Sequence, residues 1–114
     1  MNTNQQLEKS TPHIIIEIIE YVPHAIVSKT NIKKTTGNIT ATSMDSGEEL
    51  GEKTSPFDMY VQIIDGTAEV LIDGKNISLK LGEGIIIPAH SKHSFNANEQ
   101  FKMITTVIKN GYEE

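Results

Sequence analysis

Short blocks of β-branched residues, separated by tight-turn pairs, are the feature that most constrains the fold of this chain. The sequence holds 17 isoleucines, 5 valines and 11 threonines among 114 residues, and branching at Cβ favours a pleated strand over a helix. The pairs Asp65-Gly66 and Asp73-Gly74 predict tight turns, because glycine adopts positive φ without a steric cost. This pattern predicts an all-β sandwich or barrel, and the lack of room for crossover helices predicts antiparallel sheets.

The blocks predict eight strands, near residues 25–34, 38–45, 57–64, 67–73, 76–81, 85–88, 92–97 and 101–109. In the third block Phe57, Met59, Val61 and Ile63 alternate with polar residues and predict an inward face. The last block is largely apolar on both faces. It therefore predicts a strand covered on both sides, by a second sheet and by a partner chain.

The N-terminal part of the chain has a different pattern. Residues 1–12 predict a disordered polar lead, and residues 13–114 predict a single domain. Residues 13–22 predict a short strand or one or two helical turns, which Pro23 ends. Residues 13–27 are too apolar for a free tail.

Composition excludes several classes of function. The net charge is −5, whereas nucleic-acid binding needs a basic face. All the basic residues are lysine and no cysteine is present, which excludes disulfides and thiolate chemistry. The apolar stretch at residues 14–22 contains two glutamates and is too short to span a membrane. We therefore expect a cytoplasmic protein without nucleic-acid or membrane partners.

Two segments carry a recognisable spacing. The first has marked positions at Gly47, Lys53, Ser55, Met59 and Gly66. The second has them at the following residues: Gly82, Pro88, His90, His93 and Ala97. This spacing resembles the two signature motifs of the cupin superfamily, especially its small single-domain conserved-barrel members. The resemblance covers roughly residues 25–109 and implies an antiparallel double-stranded β-helix, the jelly-roll barrel of RmlC-like proteins.

The metal-binding chemistry of the superfamily is mostly missing. Cupin metal sites use two histidines and a glutamate of the first motif and a histidine of the second. Here Lys53, Ser55 and Met59 occupy the first three positions, and only His93 remains. A divalent metal needs about three suitable protein ligands. We therefore expect a degraded metal site and no cofactor; if a divalent metal binds, His93 is its ligand.

The resemblance implies a ligand pocket inside the barrel. We expect its lining to include Lys53, Ser55, Met59, His93 and Phe95, with His93 and Lys53 as the candidates for any catalysis. His93 suits a general base or a hydrogen-bond donor. Lys53 suits the binding of an anion or, where water is excluded, a role in proton transfer. The alternative is a lysine at the mouth of the barrel whose ammonium group extends into water.

Three functions stay open from the sequence. The first is a module that binds a small molecule around His93. The second is an enzyme of the cupin type, either a metal-dependent dioxygenase or isomerase, or a metal-free isomerase or epimerase that uses His93 and Lys53. The third is a structural or regulatory dimer without a ligand. The resemblance also implies that residues 13–27 lie on the sheet of a partner chain, in a two-fold homodimer formed through the N-terminal strand and a barrel face. The acidic residues Glu48, Glu49 and Glu52 predict a solvated loop.

Overall fold

Two β-sheets that face each other form the protein. A computed structural model describes residues 2–3 and 6–109, with only the backbone for residues 2–3. In this part of the chain the strands are β1 (Asn2–Thr3), β2 (Ile26–Lys34), β3 (Gly37–Met44), β4 (Glu49–Lys53), β5 (Met59–Asp65), β6 (Ala68–Ile72), β7 (Lys75–Leu79), β8 (Gly84–Ile87), β9 (His93–Asn96) and β10 (Phe101–Ile108). One sheet has the order β1-β2-β3-β10-β5-β8 and the other β4-β9-β6-β7. The predicted all-β jelly-roll class is confirmed.

The eight predicted strands correspond to β2, β3 and β5–β10, with ends that differ by a few residues. The sequence missed β4, because its only inward apolar residue is Leu50 and its other positions are exposed. Glu49 and Glu52 therefore lie on a strand and not in a solvated loop. The sheets are antiparallel except where β1 pairs with β2 in parallel.

The disordered polar lead over residues 1–12 stays a prediction, and so does the single domain over residues 13–114. Positions 1, 4, 5 and 110–114 lie outside the described residues. Nearby, Leu7 donates its amide hydrogen to the carbonyl of Asn31 at 2.9 Å. In the segment 13–22, residues Ile15–Glu17 form a single 3-10 turn, the helical alternative of the prediction.

The main core lies between the sheets. Its fully enclosed side chains come from five strands of the two sheets, and the largest are Phe101, Met44, Ile63, Ile87, Val61 and Val70. They are the inward residues of an alternating pattern, which is why β5 and β10 show the predicted faces.

The N-terminal segment covers one end of the outer face of the larger sheet. Ile18 and Ile19 pack with Val27 and Ala41 in a second buried cluster. Lys102 is also buried there; its Nζ donates to the carbonyl of Ile16 at 2.6 Å. The outer face of β10 is therefore covered by the chain itself at this end, whereas Ile108 at the other end is exposed.

A tyrosine completes this cover. Tyr21 donates its hydroxyl hydrogen to the Asp65 carboxylate at 2.7 Å, and the Lys102 ammonium lies 4.9 Å from the centre of its ring, a cation–π contact. Burial and the bond to Asp65 raise the pKa of Tyr21 well above its usual value, since the phenolate would lose solvent and face a carboxylate. The segment is thus fixed to the sheet by polar as well as apolar contacts.

Candidate functional site

A cavity opens between the two sheets, at the end of the barrel away from Phe101. Its volume is about 270 Å³. It is lined from both sheets by Ile26, Ser28, Asn38, Thr40, Thr42, Leu50, Gly51, Lys53, Met59, His93, Phe95, Met103, Thr105 and Val107. The larger sheet supplies most of the polar groups, and the smaller sheet supplies His93 and Lys53.

One wall of the cavity carries hydroxyl and amide groups. On β3 the inward positions Asn38, Thr40 and Thr42 follow one another at every second residue, as strand geometry requires. Thr42 and Ser28 share a hydrogen bond of 3.0 Å between their hydroxyl oxygens. Thr105 lies directly opposite Thr40 in the β3–β10 ladder. This wall therefore offers several groups that both donate and accept hydrogen bonds.

His93 is the buried titratable residue of the site. It begins β9, is 5% exposed, and lies opposite Lys53 on β4 and Ile72 on β6. Its ring meets the ring of Phe95 edge-on, with 6.1 Å between the centres. Its Nδ1 is buried and has no hydrogen-bond partner in the described part of the chain. A buried ring nitrogen without a partner is unusual, since such atoms normally find one.

The structure brings together four of the five predicted pocket residues. Lys53, Met59, His93 and Phe95 all line the cavity. Lys53 is exposed, so it lies where the cavity opens to solvent. Ser55 does not line the cavity, because it lies in the loop after β4, where its hydroxyl accepts the amide hydrogen of Phe57 at 3.1 Å.

The sequence analysis missed the polar wall. Ser28, Asn38, Thr40, Thr42 and Thr105 line the cavity without belonging to either motif. The alternating polar residues of β3 were a usable signal for it. They were not recognised because the same pattern is typical of a solvent-facing strand surface.

The donors at this site do not fit a divalent metal. Among the described residues there is no group of three or more His, Cys, Asp or Glu side chains that can hold a metal ion. Around the cavity, His93 is accompanied by a thioether from Met59 and an ammonium from Lys53. A lysine ammonium has no free lone pair, and a thioether suits soft ions only.

The backbone turn beside the site has an unusual residue. His90 adopts φ of 69°, and its amide donates to the carbonyl of Ser55 at 2.7 Å. Glycine suits left-handed backbone better than a residue with a Cβ does, so a histidine is an unusual residue in this turn. The hydrogen bond joins the β8–β9 turn to the loop after β4.

The two facing sheets, the motif spacing and the cavity beside His93 define a barrel of the cupin class. A family model described as "Ethanolamine utilisation protein EutQ" matches residues 21–113. The chain belongs to this EutQ family. In the described residues, the structure shows no helix with the length and apolar character needed to cross a membrane.

Three relatives are similar to this chain, and they differ in sequence identity and in the share of each chain that the similarity covers. A conserved protein of unknown function from Streptococcus pyogenes is similar over 96% of both chains, with 29% identity and a TM-score of 0.87. A cupin 2 conserved barrel domain protein from Leptotrichia buccalis is 34% identical over 82% of this chain and 46% of its own, with a TM-score of 0.80. The acetate kinase EutQ of Clostridioides difficile (strain 630) is 34% identical over 54% of this chain and 39% of its own length.

Proposed function

We propose that this EutQ-family barrel binds a small organic molecule in the cavity beside His93, without a metal held by the protein. The observation that carries the proposal is the buried His93, which lines a cavity with a hydroxyl wall and whose Nδ1 has no partner among the residues that the structure describes. A ligand that hydrogen-bonds to the imidazole and to the hydroxyl wall satisfies both. Apolar cavities with a few convergent polar groups are typical small-molecule sites.

The cavity limits the size and polarity of the ligand. A volume of about 270 Å³ corresponds to roughly nine water molecules at about 30 Å³ each. Leu50 and Phe95 of the smaller sheet give it an apolar side opposite Thr40 and its neighbours, and Met59 and Val107 add apolar groups on the larger sheet. The proposed ligand is therefore a compact molecule with one apolar side and one hydrogen-bonding side. Lys53 at the mouth favours a ligand with a carboxylate there.

A thermal-shift screen with small carboxylic acids, alcohols and aldehydes tests this proposal. A ligand that binds only the native state must raise the melting temperature. We expect hits on the wild type that are lost in Thr105→Leu, which fills the cavity, and kept in Thr67→Leu, which changes a half-buried threonine outside it. Hits that survive Thr105→Leu, or a screen without any hit, would contradict the proposal.

Elemental analysis tests the metal part separately. We expect no stoichiometric metal in untagged protein purified without chelator and then incubated with iron, manganese, nickel or zinc. About one metal per chain that is lost in His93→Ala would mean that the site is rebuilt around His93, and metal-dependent chemistry would then take priority.

One observation favours a second candidate function. Lys53 and His93 lie opposite each other in the β4–β9 ladder, which puts an ammonium and an imidazole on one side of the cavity. That pair suits metal-free proton transfer on a bound carbonyl compound, with His93 as base and Lys53 as electrostatic stabiliser. Turnover that is lost in both His93→Gln and Lys53→Met would support it. The acetate kinase activity named for the C. difficile relative is not carried over, because the match covers 39% of that protein.

We also propose a homodimer, formed through the open part of the outer face of the larger sheet. Ile32, Ile39, Thr106, Tyr60 and Ile86 lie directly opposite one another across five adjacent strands. Tyr60 and Ile86 are exposed, and an exposed apolar row of this length is typical of an interface. The N-terminal strand β1 pairs with β2 of its own chain, so the barrel face carries this proposal. We expect a dimer by light scattering after size exclusion and a monomer for Ile86→Lys; a monomeric wild type would contradict it.

A further inference from the structure

The lining of the barrel cavity excludes negative charge. The chain has 15 acidic and 10 basic residues, yet none of the described residues that line this cavity is acidic, and the one lysine among them is Lys53. A carboxylate in the lining would repel a bound anion, and an acidic protein that keeps its carboxylates out of a cavity leaves the cavity open to one. The lining therefore favours an anionic group on the ligand over an ammonium group.

A second lysine lies beside the opening of the cavity, on the other sheet. Lys33 on β2 is directly opposite Asn38 on β3, and directly opposite residues project from the same face of a sheet. Asn38 lines the cavity, so Lys33 lies on the cavity side of its strand. Lys33 and Lys53 are both exposed. The opening thus has an ammonium group on each sheet, which makes it the best place for an anionic group.

Further inside, a pair of threonines presents hydroxyl groups. Thr40 and Thr105 lie directly opposite each other, and both are half-buried and line the cavity. Thr40 donates to Oδ1 of Asn38 over 3.5 Å, a long contact that leaves its acceptor positions open. The neighbouring hydroxyls of Thr42 and Ser28 bond to each other. The Thr40–Thr105 pair is therefore best suited to a ligand hydroxyl, which both donates and accepts.

The smaller sheet supplies an apolar surface for the rest of the ligand. Leu50 and Phe95 lie directly opposite each other on β4 and β9, and both line the cavity. Methyl groups that leave water for such a surface bind favourably. The volume of about 270 Å³, or roughly nine waters at about 30 Å³ each, has room for a molecule with a similar number of non-hydrogen atoms.

We infer that the ligand of the barrel cavity is a small aliphatic hydroxycarboxylate with a short branched chain. The inference rests on the proposed function, in which this cavity is the ligand site, and adds the chemical class of the ligand. The carboxylate lies at the opening between Lys33 and Lys53, and the hydroxyl lies between Thr40 and Thr105. The alkyl groups contact Phe95.

A titration with 3-hydroxy-3-methylbutanoate at neutral pH, followed by the backbone amide signals of the full chain, tests the inference. We expect shifts at Thr40, His93 and Thr105. Two matched probes each lack one feature of this acid. In 3,3-dimethylbutanoate a methyl group replaces the hydroxyl, and 3-methylbutane-1,3-diol has no carboxylate. The first should bind roughly tenfold more weakly, and the second about fivefold more weakly.

Two variants assign these preferences to the proposed contacts. Thr105→Val removes the hydroxyl and keeps the shape, so 3-hydroxy-3-methylbutanoate should lose its advantage over 3,3-dimethylbutanoate. Thr106→Val, which changes a half-buried threonine outside the cavity lining, should keep that advantage. Lys53→Met should weaken both acids about fivefold and leave the diol unchanged. Lys80→Met, which changes an exposed lysine outside the lining, should bind all three probes as the wild type does.

The outcomes separate this inference from the proposed function. If 3,3-dimethylbutanoate or the diol binds as tightly as the hydroxy acid, the cavity is a ligand site but not one for this class, and the inference is overturned. If none of the three probes shifts these signals while other compounds of the thermal-shift screen do, the inference is also overturned and the proposed function stands. If no compound of either set binds, both fail.

Discussion

The two ends of the barrel interior use the same strands and differ in what those strands carry. At the closed end Met44 lies opposite Phe101, and both are fully buried. Further along the same two strands Thr40 lies opposite Thr105, and both line the cavity. Where the inward side chains become small and polar, the sheets cannot fill the space between them. The comparison shows that the cavity lies where the inward residues of β3 and β10 are small and polar, and that the core is closed where they are large and apolar.

The largest expected effect is at the closed end. Phe101→Ala should lower the free energy of unfolding by about 3–5 kcal/mol, because it leaves a cavity among fully buried neighbours. Thr105→Ala at the open end should change it by less than about 1 kcal/mol, since the space beside it is already open. Urea unfolding measures both. Equal losses would mean that the two ends are packed alike.

The next largest effect on stability is expected where the N-terminal segment covers the outer face of the larger sheet, at the closed end of the barrel. Lys102→Ala should lower the free energy of unfolding by about 2 kcal/mol, because the Lys102 ammonium donates a hydrogen bond to the Ile16 carbonyl and contacts the Tyr21 ring. Lys109→Ala, an exposed lysine beyond the end of β10, is the matched control and should change stability little. Similar values for the two variants would show that the N-terminal segment does not depend on Lys102.

Tyr21 makes the closed end sensitive to high pH. Its pKa is raised in the folded protein, so its contribution is fully present below the ordinary tyrosine pKa of about 10. As pH rises above this value, the unfolded chain ionises first and the contribution is lost. We expect Tyr21→Phe to lower the free energy of unfolding by about 1 kcal/mol near neutral pH. At alkaline pH the stability of this variant should fall less steeply than that of the wild type. Tyr60→Phe changes an exposed tyrosine, and its stability should fall at alkaline pH as steeply as that of the wild type.

The smallest expected effect is a gain in stability at the open end of the barrel. His90→Gly should stabilise the protein by about 0.5–1 kcal/mol, because glycine adopts the left-handed backbone of this turn without strain. Thermal unfolding measures the gain. A loss of stability would show that the imidazole of His90 makes contacts that outweigh the backbone strain.

Sequence patterns were sufficient for the barrel because its strands alternate and its turns carry glycines. Met59 to Ile63 showed the predicted inward face, whereas Phe57 lies before β5 and belongs to neither buried cluster. The motif spacing was enough to assign His93, Met59 and Lys53 to the pocket. The sequence could not show β4, which has one inward apolar residue. The polar alternation of β3 was present in the sequence, but it did not distinguish a cavity wall from a solvent-facing strand surface. The ligand, the dimer and the cytoplasmic location stay predictions.

The central claim is that the open end of the barrel is a ligand site built around His93. The most direct measurement is the side-chain nitrogen spectrum of the histidines during titration with the hits of the small-molecule screen. We predict that the ring nitrogens of His93 shift as its unpaired Nδ1 gains a partner, while those of the exposed His24 do not move. Stabilising compounds that leave the His93 signals unchanged would contradict the account.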